Sequence, residues 1–373
     1  MANMIICIDV SQRTKDNLHK LLESGGCRDY SEVVAVAIEN QLLLQNQASG
    51  NSRGLDTTGI TLQGKRLEER TAGIGSSERV SGPLQVPVLF SHLGPATKPS
   101  TLAPYPSDSF ELGQEVPVDR WIFGQHNKLL PVKATCRALA RLMASEIQGN
   151  LGLSKTASEI ASEAVKLGDY LRRLDETSGA HRDDALSFAF PYSKSPNGDK
   201  SRLRYANQFV ACFTTQGALT GLPIELKLAN RDHSRTPQIL LTEAGWLFAE
   251  ARNPVLDDGK NGRHSKLSDE EIEFLLQHIR TRVPAEAFAY NTVLKAIGQG
   301  ANTPEKLDDA LEEYLPKRDT KPFTRAFLTT QRAGVLSRMI DLGLVRRVRD
   351  GITVSYTTTA TDLGSLPNPK QAV

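Results

Sequence analysis

Cysteine and histidine are scarce and scattered in this chain of 373 residues, at four and seven respectively. Cys7, Cys27, Cys136 and Cys212 form no CxxC pair and stand at no ligand spacing from a histidine. That excludes a zinc module and a disulfide framework, so no metal site is assigned, and it points to a reducing cytoplasm. No apolar run approaches the roughly 20 residues a membrane helix requires. The first residues, MANMIICIDVS, lack the basic flank and apolar core of a secretion signal. Also missing are a phosphate-cradling Gly-Lys-Ser/Thr loop, a G-x-G-x-x-G turn and an H-E-x-x-H pair. No cofactor and no catalytic residue is therefore assigned. Net charge is small too: 45 Lys and Arg against 43 Asp and Glu leave +2. A uniformly basic coat is excluded, and any polyanion site must be a patch.

Such a patch exists between Phe323 and Arg349, where Arg325, Arg332, Arg338, Arg346, Arg347 and Arg349 face only Asp341, a local +5. From Gln331 the apolar residues Val335, Leu336, Met339, Ile340 and Leu342 recur at helical spacing, after a cap at Thr329-Thr330. Gly343 stops the helix. Two β-prone runs follow, Leu344–Arg349 and Ile352–Tyr356, about an Asp350-Gly351 turn, a strong hairpin signal. Helix, glycine stop and basic hairpin resemble the recognition helix and wing of a winged helix-turn-helix domain. The resemblance implies that Arg332 and Arg338 sit near a DNA major groove while Arg346, Arg347 and Arg349 contact phosphate, which supplies most non-specific affinity.

At the other end, Ile6, Ile8 and Val10 alternate as a short strand, and Ser11 caps a helix closed by Gly25-Gly26. Asp29 and Glu32 frame a capping box before a second stripe of Val34, Ala37, Ile38 and Leu42. Forty-odd residues cannot bury a core alone, and pairing with a second copy solves this. Strand, helix, Gly turn and YSEVVAVAIENQL resemble the ribbon-helix-helix family, which implies an intertwined dimer over residues 1–45 held by Ile6, Ile8, Val10, Val34 and Ile38. That family reads bases from the outward strand face. Here the face is Ile5, Cys7 and Asp9, so the module serves as a dimerisation device.

Residues 46–118 lose periodicity and are rich first in Gly, Ser and Thr, then in Pro. They read as a flexible linker. Its apolar island, Val86-Pro87-Val88-Leu89-Phe90, is either a patch folded on a neighbouring domain or a docking peptide for a protein partner. Order returns at Trp121. Helices are expected from Pro131 (Val132, Cys136, Leu139, Leu142, Met143) and over Ser154–Arg173. Then Leu203–Phe213 reads as a helix, Gly217–Leu222 as a short helix and Ile224–Leu228 as a strand. The loop Ala229–Pro237 carries Arg231, His233 and Arg235, and Leu241–Ala249 resembles the LTxxG close of winged-helix domains. Three helices, opening at Ser268, Pro284 and Thr303, lead into the C-terminal stretch.

The expected fold class is mainly α with small β (α+β): a ribbon-helix-helix (1–45), a linker (46–118), a helical domain with a first winged helix (119–258), a second winged helix (265–362) and a frayed tail (363–373). One pattern has a catalytic precedent. Glu225-Leu226-Lys227 on a strand would be the E-x-K half of a metal-dependent nuclease site, but the required upstream acid has no candidate better than Asp199, in a turn. The reading is therefore a dimeric, non-enzymatic DNA-binding protein, a transcriptional regulator gripping duplex through Arg325, Arg332, Arg338, Arg346, Arg347, Arg349, Arg231 and Arg235. The alternative is a non-catalytic oligomerising scaffold of a larger complex, of antiviral or similar type, whose winged helices contact protein.

Overall fold

The first half of the described fold packs about one helix, α1 (Leu129–Ala144), of whose 16 residues 13 are buried. A helix apolar on one side only would show a wet face; this one is enclosed all round. In the computed structural model, residues 85–94, 98–107, 109–145, 152–180, 185–214, 216–232, 238–258, 265–316 and 323–359 are described. The expected ribbon-helix-helix with Ile6, Ile8, Val10, Val34 and Ile38, the linker to residue 84, Arg235 and the tail 363–373 lie outside them.

Enclosure forces the two cations of α1, Lys133 and Arg137, to find partners. Lys133 meets the Glu271 carboxylate at 2.8 Å, with both side chains fully buried, and donates to the carbonyls of Phe248 and Ala251. Arg137 is paired with Asp257 and donates to the carbonyls of Ala251 and Phe90. Burying a charge without such partners would cost several kcal/mol.

Helix α2 (Leu153–Ser178) buries Ile160, Ala161, Ala164, Leu167 and Leu171 and ends at Gly179 with φ +64°. It follows the expected stripe but runs a turn further. Helix α3 (Gly198–Tyr205) continues into a π-helical turn at Ala206–Val210. Among the described residues three two-stranded antiparallel sheets follow: β1 (Cys212–Phe213) with β2 (Leu219–Thr220), β3 (Ala229–Arg231) with β4 (Ile239–Leu241), and a C-terminal pair. Two expectations fail between them. The short helix expected at Gly217–Leu222 is instead the end of the β1–β2 turn, with Gly217 at φ +78°, then strand β2 itself and the step into the next helix. The strand expected at Ile224–Leu228 is instead the short helix α4 (Leu222–Glu225), started by Pro223, followed by Lys227 in the left-handed region at φ +56°. Ile224, Leu226 and Leu228 are buried, but so are Pro223, Lys227 and Ala229; the alternation that imitated a strand was one of residue type and not of burial.

Thr242 caps α5 (Glu243–Glu250) by accepting from the Gly245 amide, and Asn253 caps α6 (Pro254–Asp257). Ser268 and Glu271 close a reciprocal capping box on α7 (Asp269–Arg282). Then follow α8 (Pro284–Gly298), α9 (Pro304–Glu312) and α10 (Arg325–Asp341). The mainly helical α+β class holds, and among the described residues no helix is long and apolar enough to cross a membrane.

The second half of the expected linker is an arm laid on the body. Phe90 is fully buried against α1, Ala103 and Val118 are buried, and their amides donate to Leu241 O (2.8 Å) and Tyr314 O (3.1 Å). Of the apolar island, Phe90 is buried and Val86 and Leu89 are partly so, leaving Val88 73% exposed. The patch-folded-on-a-neighbour alternative is the one observed. Nor do 119–258 and 265–359 part into separate domains. Their buried side chains form one continuous core, and α10 lies against the segment before α1 so closely that a Cβ on Gly334 would sit 2.3 Å from Gly124 O.

Candidate nucleic-acid interface

The C-terminal hairpin starts where α10 ends. Gly343 adopts φ +71°, Leu344 N donates to Met339 O (2.9 Å) and Gly343 N to Ile340 O (3.1 Å). These two bonds make a Schellman stop, sealed by the buried contact partners Met339 and Leu344. Strands β5 (Val345–Asp350) and β6 (Thr353–Thr358) pair from Val345↔Thr358 to Asp350↔Thr353. The two loop residues are thus Gly351 (φ +58°) and Ile352, one step later than the expected Asp350-Gly351 turn. Glycine at the first loop position is the type II′ preference. The step moves each cross-strand partner by two residues, so Arg347 stands opposite Tyr356 in place of Val354, while the division of residues between the two faces is unchanged.

With this register, Arg347 and Arg349 share a face with Tyr356 and Val354, while Arg346 shares the other with Val348 and Asp350. All three arginines are exposed, Val348 is 38% exposed and Ile352 at the tip is wholly so. The base is tied down: Thr359 N donates to Leu344 O (3.1 Å) and Tyr356 N to Asn302 O (2.8 Å). The result is a cationic ribbon projecting from an ordered root.

The helical arginines behave differently, and here the sequence-based site is corrected. Arg338 is fully buried: it donates to Glu286 Oε1 (2.6 Å) and Oε2 (3.0 Å) and to His126 O (2.6 Å). Burial works against its charge, but Glu286 and Tyr290 outweigh that and hold its pKa above the ordinary value. Arg332 is 7% exposed and donates to Asp308 Oδ1 at 2.6 Å. Arg325, half exposed, lies 2.8 Å from Asp309 and 3.6 Å from Asp308. Arg332 and Arg338 therefore do not reach the helix surface. The outward stripe Ala326, Thr330, Ala333 and Ser337 carries no charge, and Arg325, in the first turn and paired with Asp309, is the exposed arginine of α10. The signal for this was in the sequence. Leu328, Arg332, Val335 and Met339 form one stripe, and Gln331, Val335, Arg338 and Leu342 the next, so both arginines fall in phase with the apolar face.

Arg231 is exposed on β3. A cationic surface that sequence reading missed lies on α3, where Lys200, Arg202 and Arg204 are exposed beside Leu203 (62%). The Glu225 and Lys227 pair does not form the two-tooth strand of a nuclease site. Glu225 is bound by His126 Nδ1 (2.9 Å) and by the Thr220 hydroxyl (2.7 Å). Burial raises its pKa, yet His126, Thr220 and Arg338 together bring it below the ordinary value. Among the described residues no group of three or more His, Cys, Asp or Glu side chains is placed to hold a metal ion. No protein-family model matches the chain, and neither a curated protein nor a solved structure shows significant similarity to it.

Proposed function

We propose that the chain is a non-catalytic DNA-binding protein that holds duplex by its phosphates through the β5–β6 hairpin, with α10 as the hairpin's structural support. The arrangement α8, the Asn302 bridge to β6, α9, α10 and the hairpin is read as a winged helix in which the wing alone makes the contact. The observation that carries this is the division of arginines. Arg332 and Arg338 are buried, against Asp308 and Glu286, and cannot reach a polyanion, while Arg346, Arg347 and Arg349 stand at the surface along one six-residue strand. Beyond its first turn α10 exposes no arginine, lysine or amide side chain among the described residues, so its outer face offers little to distinguish base edges and binding is sequence-tolerant. Dimerisation through residues 1–45, the ribbon-helix-helix proposal, would place two such wings on one duplex and raise avidity without new contacts. A role in transcription regulation would then come from occupancy of DNA in place of base reading.

The test is an electrophoretic shift on random duplex across a salt series. The triple variant Arg346→Ala/Arg347→Ala/Arg349→Ala should lower the slope of log K against log salt by about 0.9 for every phosphate it no longer neutralises, so by up to about 3. An unchanged slope with unchanged affinity removes the hairpin from the interface. A second reading, in which the same elements serve a protein scaffold, is favoured by the uncharged outer stripe of α10, Ala326, Thr330, Ala333 and Ser337. Under it the shift is absent in wild type as well.

A further inference from the structure

Helices α5 and α7 lie side by side and leave between them a groove of about 460 Å³, with Tyr105 of the arm at its edge. Its volume falls in the range of binding sites, but it is open to solvent along its length, which suits a chain segment better than an enclosed small molecule. Helix α7 contributes Glu270, Glu273, Phe274, Gln277, His278 and Thr281. Their spacings of three, one, three, one and three mark one helix face, about 16 Å long at 1.5 Å per residue. From α5 come Glu243, Ala244 and Leu247.

The floor is apolar and rigid. Phe274 is stacked between Phe248 and His278, each with ring centroids 6.0 Å away and nearly parallel. Burial pushes the His278 pKa down, and its Nε2 is engaged with Leu226 O at 2.8 Å, so it adds a flat face without a charge. Leu247 stands at the side with 49% of its surface exposed, an apolar group with no core to fill. The rim is acidic. Glu270 and Glu273 are exposed and take no ion pair among the described residues, and Glu243 shares Lys98 at 3.0 Å. The one lining cation, Arg282, lies at the far end with its guanidinium 5.1 Å from the Tyr105 ring centroid.

We infer that this groove is a docking site for a basic amphipathic helix of a partner protein, with an apolar side chain seated between Leu247 and Phe274 and lysines or arginines against Glu270 and Glu273. Shape and charge both select this occupant. A straight channel between two helices accepts a third as a ridge in a groove. Its acid-rich end repels nucleic acid and anionic helices while attracting cations. The site is independent of the hairpin and of whether the hairpin binds duplex.

The full chain is titrated by fluorescence anisotropy with a labelled peptide of leucine and lysine patterned as an amphipathic helix of about four turns, and with its leucine and glutamate counterpart. The basic peptide should bind at least tenfold more tightly than the acidic one. Glu270→Lys/Glu273→Lys should reverse that preference, and Leu247→Ser should weaken both peptides about tenfold; the substituted positions are exposed, and an unchanged urea midpoint confirms folding. The Arg346/Arg347/Arg349 alanine variant should bind the basic peptide as wild type does, which separates this result from the duplex experiment. The inference is overturned if the basic peptide binds the charge-reversed chain as well as wild type, or does not bind wild type. It is also overturned if Leu247→Ser changes only the oligomeric state in light scattering, since a second copy is then the occupant.

Discussion

Replacing Arg338 by alanine tests directly whether α10 is a support or a reading head. The guanidinium makes three hydrogen bonds of 2.6 to 3.0 Å, two to Glu286 and one to His126 O, with arginine and glutamate both at 0% side-chain exposure. Removal leaves a carboxylate and a carbonyl stranded in the core. Breaking a buried pair from one side costs about 3–5 kcal/mol, a large part of the roughly 5–15 kcal/mol that holds a typical protein folded. At about 2–4 °C per kcal/mol for a body of this size, the melting point should fall by on the order of 10 °C. Trp121 and Trp246, 4% and 1% exposed, report the transition by fluorescence in urea. The double variant Arg338→Met/Glu286→Leu should recover much of the loss, because no charge is then left unpaired and only the His126 carbonyl still lacks its donor. Duplex affinity, measured on folded protein, should be unchanged in both. A stability loss below about 1 kcal/mol together with weakened duplex binding would refute the reasoning, since the side chain would then have to reach solvent.

Two further outcomes follow from burial elsewhere. Phe90→Ala should destabilise by about 3–5 kcal/mol, the cost of a core aromatic, and should speed amide exchange at Ala103 and Val118; a change within about 0.5 kcal/mol would mean that the arm is not part of the body. Burial also raises the Cys136 thiol from an ordinary 9.0 to about 12. The folded chain therefore keeps a proton that the unfolded chain releases above about pH 9, so this contribution is complete below pH 9 and drains away as pH rises towards 12. The slope is roughly 1 kcal/mol per pH unit, read as the difference between wild type and Cys136→Ala in urea midpoints at about pH 8.5 and 10.5. The difference is needed because Lys133, lowered by burial to about 8, acts in the opposite sense between about 8 and 10.5.

Local signals were legible. The Gly343 stop, the hairpin and the starts at Ser268, Pro284 and Thr303 all rest on contacts within a few residues, and each stands within a residue or two of where the sequence places it. What escaped depends on partners far along the chain. The acids that take up Arg332 and Arg338 lie 24 and 52 residues away, and nothing in the local pattern names them. Composition misled in the arm. Prolines and small residues between Val86 and Val118 suggested a tether, but a few well-spaced apolar side chains are enough to fasten an extended segment when a surface is ready for them. Around α4 the error was one of period: apolar and charged residues alternate from Ile224 to Leu228 as in a strand, but the winding turn buries Lys227 together with its apolar neighbours. The acidic groove was invisible because its two walls come from helices separated by the 251–268 connection.

The cross-links among α1, the arm and α10 decide whether the chain can be divided. Asp341 accepts the Leu129 amide at 3.2 Å, Gln331 accepts from Gly124 N at 2.5 Å and donates to Val118 O at 3.0 Å, and Lys133 depends on Glu271. Each half holds the counter-charges and acceptors that the other must have before it can close. A gene fragment ending near residue 258 would make a protein with an orphaned ammonium at its centre, and the complementary fragment a helix with dangling polar ends. Neither fragment should therefore fold without the other, however separable their outlines look along the chain.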